Sequence, residues 1–170
     1  KQYPQRRPCA GVVRCQGVIL MGVIAVTARG GEKEQGMGIS RWRLDGQTAL
    51  VTGASAGIGL AITTELLDLG ADVLMVARDA DALEAARDEL AEQYPQQALH
   101  ALAADVSLDS ERHEIIDWVR DSADGLHLLI NNAGGNLTLP ANDYAPAQWR
   151  QIFETNLFSA FELCRGAHPL

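Results

Sequence analysis

TALVTGASAGIGLAITTELLDLG, residues 48–70, is the stretch whose reading decides the fold. It opens on a short apolar run, TALVTG, that ends in Gly53. A helical pattern follows, with Ile58, Ile62, Leu66 and Leu69 at helical spacing and Gly70 as the stop. The joint is TGASAGIG (52–59), with glycines at 53, 57 and 59. In such a loop Gly53 lets the chain turn sharply, Gly57 lets the backbone approach a pyrophosphate, and Gly59 lets the helix pack close to the sheet. A helix that starts there offers free N–H groups and positive partial charge to a phosphate. Taken alone, the same loop also reads as a plain tight turn between a strand and a helix, so its surroundings have to decide.

Working outward, apolar runs and helical patterns alternate. ADVLMVAR (71–78) is a second strand, and DADALEAARDELAEQY (79–94) a helix with Asp79 as N-cap, Leu83, Ala86 and Leu90 inside, and Pro95 beyond its end. ALHALAAD (98–105) is a third strand, followed by SLDSERHEIIDWVRDS (107–122) with Ile115, Ile116 and Val119 on a helix. LHLLINNAG (126–134) is the fourth strand. A loop rich in Asn, Pro and Asp leads to a last helix over about 146–166, with Trp149, Ile152, Phe153, Ala160 and Phe161 as its apolar stripe. Strands that are almost continuously apolar and alternate with helices predict a parallel sheet covered on both faces. Right-handed crossovers then give strand order 3-2-1-4, an α/β Rossmann-type doubly wound sheet cut after its fourth strand and following helix. Ligands of such sheets lie beyond the C-terminal strand ends, at the switch point between strands 1 and 4.

Composition narrows the function classes. The chain has 170 residues, 47% hydrophobic and 21% charged, which is an ordinary soluble globular balance. The net charge of −8 is uneven: residues 1–36 hold six Lys/Arg against two Asp/Glu (+4), and residues 37–170 hold eight Arg against twenty Asp/Glu (−12). An acidic globular part argues against nucleic acid as a partner. Cys9, Cys15 and Cys164 are odd in number and lack ligand spacing, so no metal site or disulfide framework is expected, and a reducing, cytoplasmic setting fits. Residues 1–36 do not match the rest: they are basic, and GVILMGVIAVTA (17–28) is too short to span a bilayer. They read as a leader, either upstream sequence before Met37 as the natural start, a secretory signal, or an organellar transit segment. Residues 37–170 then form an incomplete nucleotide-binding domain.

The remaining candidates sit at the strand ends. Strand 2 closes on Val76-Ala77-Arg78, with Ala where an NAD site usually places an acid. Arg78 can pair with a 2′-phosphate through its planar fork, which favours NADP over NAD; a solvated arginine beside a helix cap is the plainer alternative. Asp105, ending strand 3, can accept from an adenine amino group while Val106 covers the ring, and it can also help cap the next helix. NNAG (131–134) joins two amides to a small-residue turn that would admit a ribose and nicotinamide, or is simply an Asn-rich turn. Asn156 falls on the apolar stripe of the last helix, where an unsatisfied amide would cost about 1–3 kcal/mol.

Together TGASAGIG, Asp105, NNAG and Asn156, in this order and in these elements, resemble the short-chain dehydrogenase/reductase family over roughly residues 42–170. RWRLDGQTALVTG and TNLFSAFELCRGAHPL are similar to its tropinone reductase-like branch, which reduces ketones with NADPH. The resemblance implies that Ser55, Ile58, Arg78, Asp105, Val106, Asn132, Ala133 and Gly134 line the cofactor, and that Asn156 is the asparagine of the catalytic tetrad. It implies a small carbonyl substrate and a homo-oligomer for the full-length form, with neither nucleic acid nor membrane as partner. Two departures stand out. Ala56 replaces the basic residue that many NADP-using relatives place before the second loop glycine. The family's catalytic Ser and Tyr-x-x-x-Lys are not matched: Tyr3, Tyr94 and Tyr144 are not followed four residues later by Lys, and the only lysines are Lys1 and Lys33. The expectation is the N-terminal part of an NADP(H)-dependent ketone reductase, inactive by itself; the alternative is a dinucleotide-binding fragment that performs no hydride transfer. A methyltransferase of similar fold is disfavoured by Ala77-Arg78, where an acid would be expected.

Overall fold

The computed structural model describes residues 42–170, so the expected leader lies outside the described residues. Four parallel strands form one sheet in the order β3-β2-β1-β4, as the alternation predicts. In chain order they are β1 (Thr48–Thr52), α1 (Gly57–Asp68), β2 (Asp72–Ala77), α2 (Ala80–Gln93), β3 (Leu99–Ala103), α3 (Asp109–Ser122), β4 (Leu128–Ile130), α4 (Pro146–Phe153) and α5 (Ser159–Ala167).

Successive strand side chains point to opposite faces, so each strand feeds two cores. On one face Ala49, Val51, Val73 and Met75 meet Leu66 and Leu67 of α1 and Leu83 and Leu90 of α2. On the other, Leu50, Leu74, Val76 and Leu129 meet Ile115 and Val119 of α3 and Leu163 and Ala167 of α5. Full burial of each such Leu, Ile, Val or Met contributes about 1.5–3 kcal/mol, which is why the strands are apolar on both sides. Asp79 caps α2 as its position suggests, accepting from Ala82 N at 3.0 Å.

The last helical segment departs from expectation. It is not one helix: Glu154–Phe158 form a π-helical turn between α4 and α5. Its apolar stripe is a core stripe only in part: Ala160 is buried as expected and Ile152 is half-buried. Trp149, Phe153 and Phe161 are 44%, 47% and 62% exposed, and the residues that reach the core are Ala160, Leu163 and Ala167. The π turn shifts the phase of α5 relative to α4, so a single 3.6-residue period drawn through both halves misplaces Phe161, whereas Trp149 and Phe153 precede the turn and are exposed on α4 itself. Strand 4 is also shorter than its apolar run: after Ile130 the chain turns, with Asn132 N donating to Ile130 O at 3.1 Å.

Candidate functional site

The C-terminal strand ends converge on one hydroxyl. Thr52, buried at the end of β1, donates to Ile130 O at 3.3 Å and accepts from Asn132 N and Ala133 N, each at 3.0 Å. The Asn132 amide returns the link, donating from Nδ2 to Thr52 O at 3.0 Å and Gly53 O at 3.2 Å. These bonds lock the loop after β1 against the loop after β4, which is the switch point of the sheet. Gly53 makes the fit possible: its φ is +67°, and a Cβ there would stand 2.9 Å from Asn132 Nδ2. Gly59 packs closer still, since a Cβ would come within 2.1 Å of Gly53 O.

Around this joint lies a cleft of about 540 Å³ lined by Gly53, Ser55, Val76, Ala77, Arg78, Asp79, Ala104, Asp105, Val106, Ala133, Gly134 and Thr155. Its size falls within the range of small-molecule and cofactor sites, about 300–1,000 Å³. The structure therefore brings Gly53, Ser55, Arg78, Asp105, Val106, Ala133 and Gly134 to one wall system. Gly57, Ile58, Gly59, Asn132 and Asn156 are not among its lining residues. Asn132 and Gly59 instead hold the loop from behind. Ile58, expected on the helix's apolar stripe, is 72% exposed at the mouth of the loop. Gly57 has φ +58°, and a Cβ there would meet no atom within 4 Å. The start of α1 has no side-chain cap and no acidic residue in its first turn. Its N–H donors and dipole are left for an anion from outside the chain.

The rim carries charge. Arg78 is largely exposed and stands 4.0 Å from the Asp105 carboxylate, a long pair across the β2 and β3 tips. Such an exposed pair holds the guanidinium only weakly. The other Asp105 oxygen accepts from Ser107 N at 2.9 Å, which shapes the turn before α3; the helix cap itself falls at Leu108.

Asn156 sits in the π turn. Its Nδ2 donates to Gly135 O and to Ile152 O, both at 2.7 Å, and its Oδ1 accepts from Gly135 N at 3.2 Å. The amide is thus satisfied on the helix and on the strand-4 loop at once, and a Cβ on Gly134 would lie 2.8 Å from its Oδ1. Thr52 and Thr155 were not legible as site residues. Thr52 reads as the last residue of an apolar strand, and the one clue was a hydroxyl placed next to the first loop glycine.

Neither tyrosine of the described residues lies on the cleft. Tyr94 donates to Asp68 Oδ1 at 2.8 Å, and that hydrogen bond holds its phenol above the usual range, opposite to what a proton donor at neutral pH needs. Tyr144 donates to Leu137 O. Among the described residues no group of His, Cys, Asp and Glu could hold a metal, and no helix is long and apolar enough to cross a membrane.

A glycine-turned loop into a helix with no side-chain cap, at the switch point of a 3-2-1-4 parallel sheet, defines a Rossmann-type α/β domain. The family model for short chain dehydrogenase matches residues 47–170, and the chain belongs to that family. A tropinone reductase homolog of Datura stramonium is 38% identical over 141 residues, covering 81% of this chain and 51% of that protein. One of Arabidopsis thaliana is 40% identical over 133 residues, 77% and 48% of the two chains. The chain thus spans about half the length of the curated relatives it matches, and within the family its similarity runs to the tropinone reductase-like branch. Among solved structures, L-sorbose reductase from Gluconobacter frateurii, complexed with NADPH and L-sorbose, superposes with a TM-score of 0.72 at 32% identity, covering 75% of this chain and 48% of that one. A metagenomic short-chain oxidoreductase in complex with NADP gives 0.69 at 34% identity, with 74% and 57% covered.

Proposed function

We propose that these residues form the NADP(H)-binding half of a short-chain reductase that converts a small ketone to an alcohol. The observation that carries the reading is the cleft itself: about 540 Å³ at the strand ends, with Gly53 and Ser55 on one side, Asp105 and Val106 on another, and Arg78 at the rim. The residues present fit the cofactor. The bare N-terminus of α1 suits a pyrophosphate, and the open space over Gly57 admits it. Asp105 Oδ2 and the Val106 side chain suit an adenine, and the Arg78 guanidinium suits a 2′-phosphate. Ala133 and Gly134 leave room for a ribose and nicotinamide against the backbone. When bound, that cofactor supplies the hydride; the chain's residues supply binding and orientation. Asn156 keeps the Gly135 backbone and the π turn in register beside the ring end of the cleft. That solved relatives are described with NADPH or NADP supports the choice of cofactor.

A second reading, a dinucleotide-binding unit with no hydride transfer of its own, is favoured by one observation. No Tyr-x-x-x-Lys occurs in the 170 residues, and Tyr94 is held by Asp68 away from the cleft. Fluorescence titration with NADPH and NADH tests the binding that both readings share, and an NADPH oxidation assay with small cyclic ketones on a chain extended by the coding sequence beyond codon 170 separates them. Turnover in the extended chain selects the first reading, and tight NADPH binding without turnover there selects the second. Arg78→Ala should weaken NADPH by about tenfold or more, the size of one charge-assisted hydrogen bond, and NADH by less. Equal losses would refute the role of Arg78.

A further inference from the structure

Arg112 is a buried cation that neither the cleft lining nor the family motifs account for. It lies in the first turns of α3, 7% exposed, although burying a guanidinium carries a large desolvation cost unless it is paired and hydrogen-bonded. Its Nη1 donates to Val106 O at 2.8 Å, and its Nη2 donates to Asp109 Oδ1 at 3.2 Å. Glu154, the first residue of the π turn, stands 3.9 Å from Nη1. A second link runs beside it: Gln151 Nε2, on α4, donates to the buried Ser107 Oγ at 2.8 Å. Val106 and Ser107 belong to the loop that follows β3 and forms one wall of the cleft. Gln151 and Glu154 belong to the segment that also carries Asn156 and thereby holds Gly135, the residue after the Gly134 that lines the cleft.

We infer that Arg112, with the Gln151–Ser107 bond, is a positioning device that fixes the Val106 wall of the cleft to the α4–π segment and so sets affinity for the adenine part of the dinucleotide. The inference rests on the cofactor reading above. The chemistry follows from the bonds. A backbone carbonyl bonded by a fixed guanidinium cannot rotate without stranding a buried charge, so the peptide after Val106 is held in one orientation. The guanidinium itself touches no ligand. Its effect reaches the cleft through Val106, and the nicotinamide side is held separately by Asn156.

The test is isothermal titration of the whole chain with 2′,5′-ADP and with reduced nicotinamide mononucleotide, for the parent, Arg112→Met and Gln151→Ala. Gln151 is exposed, so Gln151→Ala serves if Arg112→Met does not fold. The expected result is about a tenfold loss for 2′,5′-ADP in Arg112→Met, a smaller loss in Gln151→Ala, and unchanged affinity for the nicotinamide fragment. Amide hydrogen exchange of residues 105–108 should quicken in both variants at matched global stability. Variants that bind 2′,5′-ADP as the parent does, or that lose both fragments alike, overturn the inference while leaving the cofactor reading standing. A parent chain that binds neither fragment nor NADPH overturns the cofactor reading, and this inference with it.

Discussion

Gly59→Ala should destabilise the protein although it places a better helix former in a helix. Alanine over glycine in a helix interior gains up to about 1 kcal/mol. Against this, the new Cβ would sit 2.1 Å from Gly53 O, 2.6 Å from Asn132 Nδ2 and 2.8 Å from Gly53 C. Two of these are backbone atoms of the loop, so no flexible side chain can swing away. Overpacking of this kind costs about 1–3 kcal/mol. Moving the loop also stretches the Asn132 bonds to Thr52 O and Gly53 O, each contributing about 1 kcal/mol. The net is a loss of about 2–4 kcal/mol, which for a chain of this size lowers the melting temperature by about 4 °C or more. Gly57→Ala is the internal control: nothing lies within 4 Å of its Cβ, and only the φ of +58° opposes it, at about 1–2 kcal/mol. Circular dichroism melts of parent, Gly57→Ala and Gly59→Ala read both. A Gly59→Ala protein that melts with or above the parent would refute the close packing of the loop on α1.

Three further outcomes are expected. Asn156→Ala removes the bonds to Gly135 and Ile152 and should lower stability by about 1–3 kcal/mol, with faster amide exchange at Gly135; an unchanged rate at Gly135 counts against the clamp. Burial holds the Cys164 thiol above its ordinary range, opposed by the Asn131 hydrogen bond. The native fold therefore disfavours the thiolate: the stability tied to Cys164 is fully present below the unfolded pKa and falls as pH rises through the folded one. Alkylation at Cys164, followed by peptide mapping at pH 8–9, should be slower in the native chain than in urea, and equal rates would contradict it. Phe161→Gln, at a residue 62% exposed, should leave the stability within about 0.5 kcal/mol of the parent while raising the monomer fraction in size-exclusion chromatography; a large loss of stability would place Phe161 in the core after all.

The strand order and the Asp79 cap were legible because each follows from a local rule: apolar runs between helices, and a carboxylate before a helix. The π turn was not, because it arises from a side chain competing with the backbone. Asn156 Nδ2 takes the Ile152 carbonyl and at the same time reaches Gly135, twenty-one residues back in sequence. No periodicity encodes that choice. Asn132 was legible as part of the site but not in its manner: the motif suggested space for a ligand, whereas its amide is spent on Thr52 and Gly53. Thr52 and Arg112 stayed hidden for a related reason. Their importance lies in carbonyls and amides brought close by the fold, which sequence spacing does not display.

The central strand has a consequence for synthesis on the ribosome. β1 is made before the other strands and pairs with β2 after about twenty-four residues, Thr48 lying opposite Asp72. Its other edge waits for β4 and for the Thr52 bonds to Asn132 and Ala133, 80 and 81 residues later. At about 5–20 residues per second, that interval is about 4–16 s, during which an apolar strand edge emerges from the exit tunnel unpaired. Nascent chains of this protein should accordingly engage hydrophobic-segment chaperones until β4 clears the tunnel, and slow codons between β1 and β4 would lengthen that dependence.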